Sequence, residues 1–135
     1  MQAPTATELL NHPTVRQAIE EAWKDSLPQD ANRRHEEGGW IYLDASGELV
    51  VRRAAAGFQA ELSLDNPPEI PGAVLVGIFH THPNPTAEGW YGGPSEADRR
   101  ADERDGVPDL IRADDATYVS GPESRRGGLS GGPGV

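Results

Sequence analysis

The chain is predicted to fold as an α+β (mixed α/β) domain, and three observations carry that expectation. One amphipathic helical pattern lies near the start, a continuously apolar run lies in the middle, and a second, strongly charged helical pattern follows it. Between and after them sit short β-rich stretches bounded by Gly, Pro and Asp. The order helix, strands, helix, strands suits one layered sheet with helices packed on it. No internal repeat interrupts it.

Pro13 to Ser26 is the first helix expected. Val15, Ala18, Ile19, Ala22 and Trp23 recur at three- and four-residue spacing, which places them on one apolar stripe suited to a core. Pro13 fits the first helical position, and Leu27-Pro28 closes the segment. Gln29 to His35 is a polar connection. Trp40 to Leu43 and Glu48 to Arg52 flank Asp44-Ala45-Ser46-Gly47, the pattern of a hairpin with glycine late in its loop. Phe58, Ala60, Leu62 and Leu64 alternate weakly, so a third strand is expected there, ended by Asn66-Pro67-Pro68. Ala73 to His82 reads as the buried central strand, stopped by Pro83. Thr86 to Gly93 is a loop carrying Trp90 and Tyr91. Ser95 to Arg104 is a charged helix terminated at Asp105-Gly106. Asp109 to Arg112 and Thr117 to Val119 are two last strands about a short turn.

Composition narrows the function classes. A chain of 135 residues is long enough to bury one core without staples, and is expected to be a single domain over residues 1–120. Residues 121–135, rich in Gly, Pro and Ser, are expected to be a flexible tail or a linker, and Met1 to Thr7 is similarly weak. A net charge of −10 disfavours nucleic acid, whose binding depends on Lys and Arg neutralising phosphates. Zero Cys excludes disulfides and thiolate metal sites, so any metal must use nitrogen and oxygen ligands. No apolar run reaches membrane-spanning length, and the N-terminus lacks the apolar core of a signal peptide. A cytoplasmic location is the default expectation, with one domain of a larger or secreted multi-domain protein as the alternative.

The chemistry concentrates in His80-Thr81-His82 and Ser95-Glu96-Ala97-Asp98. Alternate strand residues point to the same face, so His80 and His82 can offer two imidazoles to one ion. A single histidine at a strand end is usually an ordinary polar residue; two at i and i+2, after an all-apolar strand, favour ligation. Ser95-x-x-Asp98 matches a capping box, and alone would be read only as a helix cap. A carboxylate in the first turn of that helix can also project toward a metal at the neighbouring strand end. Two histidines and a carboxylate leave a fourth position for water, as in catalytic rather than structural zinc sites. A general base must then come from elsewhere, and Glu36 or Glu37 before Gly38-Gly39 is the candidate. By itself that pair is a solvated charge cluster ahead of a turn.

Together, Glu36-Glu37-Gly38-Gly39, His80-Thr81-His82-Pro83 and Ser95-x-x-Asp98 resemble the JAMM (MPN-plus, JAB-domain) zinc metalloproteases. The order of elements from Pro13 to Val119 follows that family, and the Glu-Gly-Gly-Trp-Ile-Tyr run and Gly106-Val107-Pro108-Asp109 look like its bacterial members. The resemblance implies a curved mixed β-sheet flanked by helices, a cytidine deaminase-like architecture. It implies that His80, His82 and Asp98 hold Zn²⁺, that Glu36 is the general base, and that Ser95 stabilises the oxyanion. It further implies hydrolysis of a peptide or isopeptide bond, often beside a ubiquitin-like C-terminus. Pro83 to Pro94 is longer than the family's usual gap. Trp90 and Tyr91 within it are either a substrate-facing platform or part of a longer surface loop. The family spacing selects Glu36, whereas strand alternation could present Glu37 instead. A non-catalytic protein-binding scaffold and a hydrolase of small amides or phosphoesters are the rival expectations.

Overall fold

The computed structural model describes residues 2–129. Two helices, α1 (Ala6–Asn11) and α2 (Pro13–Asp25), precede the hairpin of β1 (Gly38–Leu43) and β2 (Leu49–Arg53). Then come β3 (Val74–His82), α3 (Glu96–Asp105), β4 (Asp109–Ala113) and β5 (Thr117–Ser120). The five strands form one mixed sheet in the order β2-β1-β3-β4-β5. Only β3 and β4 run parallel, and α3 lies in the crossover that parallel pairing demands. The α+β class expected from the sequence is what the chain adopts.

Pairing between β1 and β3 slips once: Ile41 faces Gly77 while Tyr42 faces Leu75, so Val76 is passed over. Such a bulge reverses the alternation of side chains. Above it Val74 and Val76 join Phe79 against α1 and α2, in a core with Leu9, Val15, Ile19, Ile41 and Leu110. Leu75 and Ile78 meet Trp40, Tyr42 and Val107 on the opposite face. Beyond the bulge the order is regular, so His80 and His82 continue the face of Ile78, away from the two N-terminal helices. Behind them Thr81, fully buried, meets the Ser26 hydroxyl at 2.5 Å and ties the end of α2 to the central strand.

Three expectations change. The weakly alternating segment from Phe58 to Leu64 is not a strand. Leu62 and Leu64 do face inward, but the segment covers the sheet and does not join its edge; Leu64 lies on the second core cluster and its carbonyl accepts the Trp40 indole N–H at 3.1 Å. Alternation there reflects one buried side without a ladder partner. The weak N-terminus holds α1, closed by a reciprocal capping box between Thr5 and Glu8 and anchored by fully buried Leu9. Residues 121–129, the first part of the expected tail, make specific contacts: Ser124 bridges Thr5, and the Arg125 guanidinium donates to the Leu75 carbonyl at 3.2 Å. The rest of that segment lies outside the described residues.

Candidate metal centre

The site assembles where β1, β3 and β4 end together. His80 pairs with Gly38 on one side and Ile111 on the other. A β-carbon at Gly38 would stand 2.3 Å from the Phe79 carbonyl oxygen and 3.0 Å from the His80 Cα, so glycine lets the two strands close up here. The chain ahead of β1 keeps step with β3: the Thr81 N–H donates to the Glu37 carbonyl, and the Glu37 N–H to the Thr81 hydroxyl. Glu36, Gly38 and Trp40 therefore share the face of His80, while Glu37 points the other way.

That alternation resolves the acidic pair. Glu37 accepts the His35 imidazole at 2.6 Å and the Arg53 guanidinium at 2.7 Å, a closed structural network. Glu36 is buried and faces the histidines, and one of its carboxylate oxygens lies within 4.8 Å of a nitrogen on each ring. Glu36, His80 and His82 could hold a metal ion. Burial raises the Glu36 carboxyl to about 7, although the two imidazoles oppose the rise.

Asp98 stands closer still. Its Oδ2 is 3.2 Å from His82 Nε2 and 3.5 Å from His80 Nε2, and the two nitrogens are 3.1 Å apart. Ligands held at the usual zinc distances in a tetrahedron lie about 3.3 Å from one another, so this triangle has the edge lengths of a coordination shell. The carboxylate is aimed by the helix cap. Asp98 Oδ2 accepts the Ser95 N–H at 2.9 Å, and the Ser95 hydroxyl oxygen accepts the Asp98 N–H at 3.0 Å. The cap and a carboxylate oxygen turned toward both imidazoles thus coexist in this pair. Ser95 is exposed and lies on the rim of the same groove, with its hydroxyl proton uncommitted by the cap.

The other nitrogen of each ring is already engaged. His80 Nδ1 faces Asp109 Oδ1 at 3.1 Å, and His82 Nδ1 faces the Gly92 carbonyl at 3.1 Å. Both contacts turn Nδ1 away and aim Nε2 of each ring at Asp98, the orientation in which imidazoles bind metals. The two Nε2 atoms and a carboxylate oxygen converge on one point, where a metal ion would take the place of the ring protons that otherwise face Asp98. The ionisation of the metal-free cluster agrees. Burial lowers the His80 pKa, but the Asp109 and Asp98 carboxylates outweigh it and hold the ring well above its ordinary value. Burial likewise opposes ionisation of Asp98, yet hydrogen bonds from both imidazoles keep it below the usual carboxylate range.

Every residue expected at the site lines one groove, between the segment over the sheet and α3, with Trp90 and Tyr91 at its wall. Both aromatics are partly exposed, and Tyr91 packs edge-on to Tyr118 at 6.1 Å. Sequence reasoning missed Asp109 and the Gly92 carbonyl. Asp109 carries a sequence signal, a carboxylate opening the strand after a glycine-ended helix, but its partner depends on the register of β4. A backbone carbonyl has no signal in sequence. No protein-family model matches the chain, and no curated protein or solved structure matches it either.

Proposed function

We propose that the chain is a zinc-dependent metallopeptidase or isopeptidase with the chemistry of the JAMM-type enzymes its motifs resemble. The observation that carries this is the convergence of His80 Nε2, His82 Nε2 and Asp98 Oδ2, 3.1–3.5 Å apart, with both Nδ1 atoms committed elsewhere. An all-nitrogen-and-oxygen set at tetrahedral spacing suits zinc among the common metals. His80, His82 and Asp98 would hold the ion, and zinc bound there would supply Lewis-acid polarisation of a carbonyl and a water acidic enough to react at neutral pH.

The remaining steps belong to the chain's own groups. Glu36 faces the ligand triangle from its buried position ahead of β1, takes a proton from the attacking water and delivers it to the leaving amine. Ser95, on the helix side, turns its hydroxyl proton toward the oxygen that gains charge. The groove beside the site, about 550 Å³ and lined from Leu62 to Trp90, Tyr91 and α3, supports a peptide rather than a small amide or phosphoester. A protein or peptide substrate follows, with a ubiquitin-like C-terminus as the specific candidate.

The test is metal analysis of the purified protein with a cleavage screen on ubiquitin-like fusions and generic peptides. About one zinc per chain, and cleavage abolished by chelation and restored by zinc, is the expected result. Protein that takes up no zinc and cleaves nothing after zinc is added would favour a binding scaffold.

A further inference from the structure

Asp102 is the one buried residue of α3, a helix whose other members are charged or small. It is 1% exposed, and one of its carboxyl oxygens, Oδ2, has no hydrogen-bond partner. A helix of the sequence EADRRADERD would ordinarily turn Ala97 or Ala101 inward. Four residues after Asp98, Asp102 occupies the same face one turn further on. There it meets Asp109 and the Ser120 hydroxyl, and a β-carbon at Gly121 would stand 3.1 Å from its own β-carbon, so glycine leaves room for it. The charged groups that act on it are Asp109 and His80.

Two buried carboxyl groups in contact cannot both ionise. Asp109 faces the His80 ring nitrogen at 3.1 Å, whereas Asp102 Oδ2 is buried without a partner. The proton therefore resides on Asp102, whose carboxyl burial and the Asp109 charge raise to about 8. We propose that Asp102 is a positioning residue of the metal centre: a neutral buried acid that donates a hydrogen bond to Asp109 and locks that carboxylate onto His80 Nδ1. The series Asp102, Asp109, His80 fixes one ligand from behind, as the Gly92 carbonyl fixes His82. This rests on the metal reading given above and extends it to groups that touch neither ion nor substrate.

Asparagine copies the neutral acid, since it keeps a donor and cannot ionise; leucine has a similar shape and no donor. In folded protein, D102N is expected to hold zinc within about threefold of wild type, while D102L weakens it by about 10–100-fold, as measured by chelator competition. D102L binding zinc like wild type, or D102N as weak as D102L, would overturn the proposal. Should D102L not fold, D102A takes its place with the same expectation.

A readout without metal separates this inference from the function. In zinc-free protein the His80 Nδ1 proton should give a downfield, slowly exchanging NMR signal in wild type and D102N, broadened or lost in D102L. If wild type took up no zinc, the metallopeptidase reading would fail, and this signal would still decide the role of Asp102. An unchanged His80 signal in D102L would refute it.

Discussion

Asp98 Oδ2 accepts the Ser95 N–H at 2.9 Å and stands 3.2 Å from His82 Nε2, so one oxygen closes the first turn of α3 and faces the metal centre. A capping box usually spends its carboxylate on the helix alone. Here the cap also fixes the direction of a carboxylate that faces two imidazoles. The two roles separate by substitution. D98N keeps an oxygen to accept the Ser95 N–H but removes the charge, so helix content should hold while zinc affinity falls by at least about tenfold. S95A should cost about 1 kcal/mol of stability through the lost cap. It should lower turnover more than zinc content, read by metal analysis beside steady-state rates.

The two neighbouring glutamates make a matched pair of predictions. E36Q should retain zinc and lose about 10²–10⁴ in turnover, the range for a missing general base. E37Q should leave turnover per folded molecule unchanged. Its loss of charge weakens the hydrogen bonds to His35 and Arg53, costing about 1–3 kcal/mol, which thermal melts would register. Equal rates for E36Q and wild type would remove Glu36 from the mechanism.

Gly92 is predicted to matter through its backbone. A β-carbon there would stand 2.9 Å from Ala113 Cβ and 2.5 Å from Asp115 Oδ1, so G92A must shift the loop whose carbonyl accepts His82 Nδ1. Zinc affinity should drop by about 10–100-fold, the usual loss for a second-layer partner of a ligating histidine. Chelator competition checks this, and affinity equal to wild type would count against the role of the Gly92 carbonyl.

What was legible in the sequence were features carried by local periodicity. The stripe on α2, the hairpin, the apolar β3 and the Ser95 to Gly106 limits of α3 all depend on spacings within a dozen residues. His80, His82 and Asp98 stood out for the same reason. What was not legible depends on pairing between distant segments. The bulge at Val76, which puts the histidines opposite α1 and α2, is a property of two strands together. So is the contact of Asp109 with His80, and the burial of Asp102. The helix α1 did have a local sign, Thr5-x-x-Glu8, but six residues are too few for periodicity to stand out. The segment from Phe58 to Leu64 misled for the converse reason: its alternation marks a buried side, and nothing local says whether a strand lies beside it.

The buried acid behind the site gives a pH dependence whose sign can be worked through. Asp102 titrates near 3.8 when unfolded and about 8 when folded, so the native state holds a proton that the unfolded chain has released between those limits. Stability therefore falls as pH rises through this window, because the folded state binds more protons. D102N has no proton to lose at this position. Its melting temperature relative to wild type should climb steadily from pH 4 to pH 8, measured on chelator-treated protein. Glu36, raised to about 7 by burial, contributes a fall of the same sign, but it is present in both proteins and cancels in the difference. A melting difference that stayed flat across that range would mean that Asp102 is ionised in the fold, and the charge on the Asp102–Asp109 pair would have to be assigned anew.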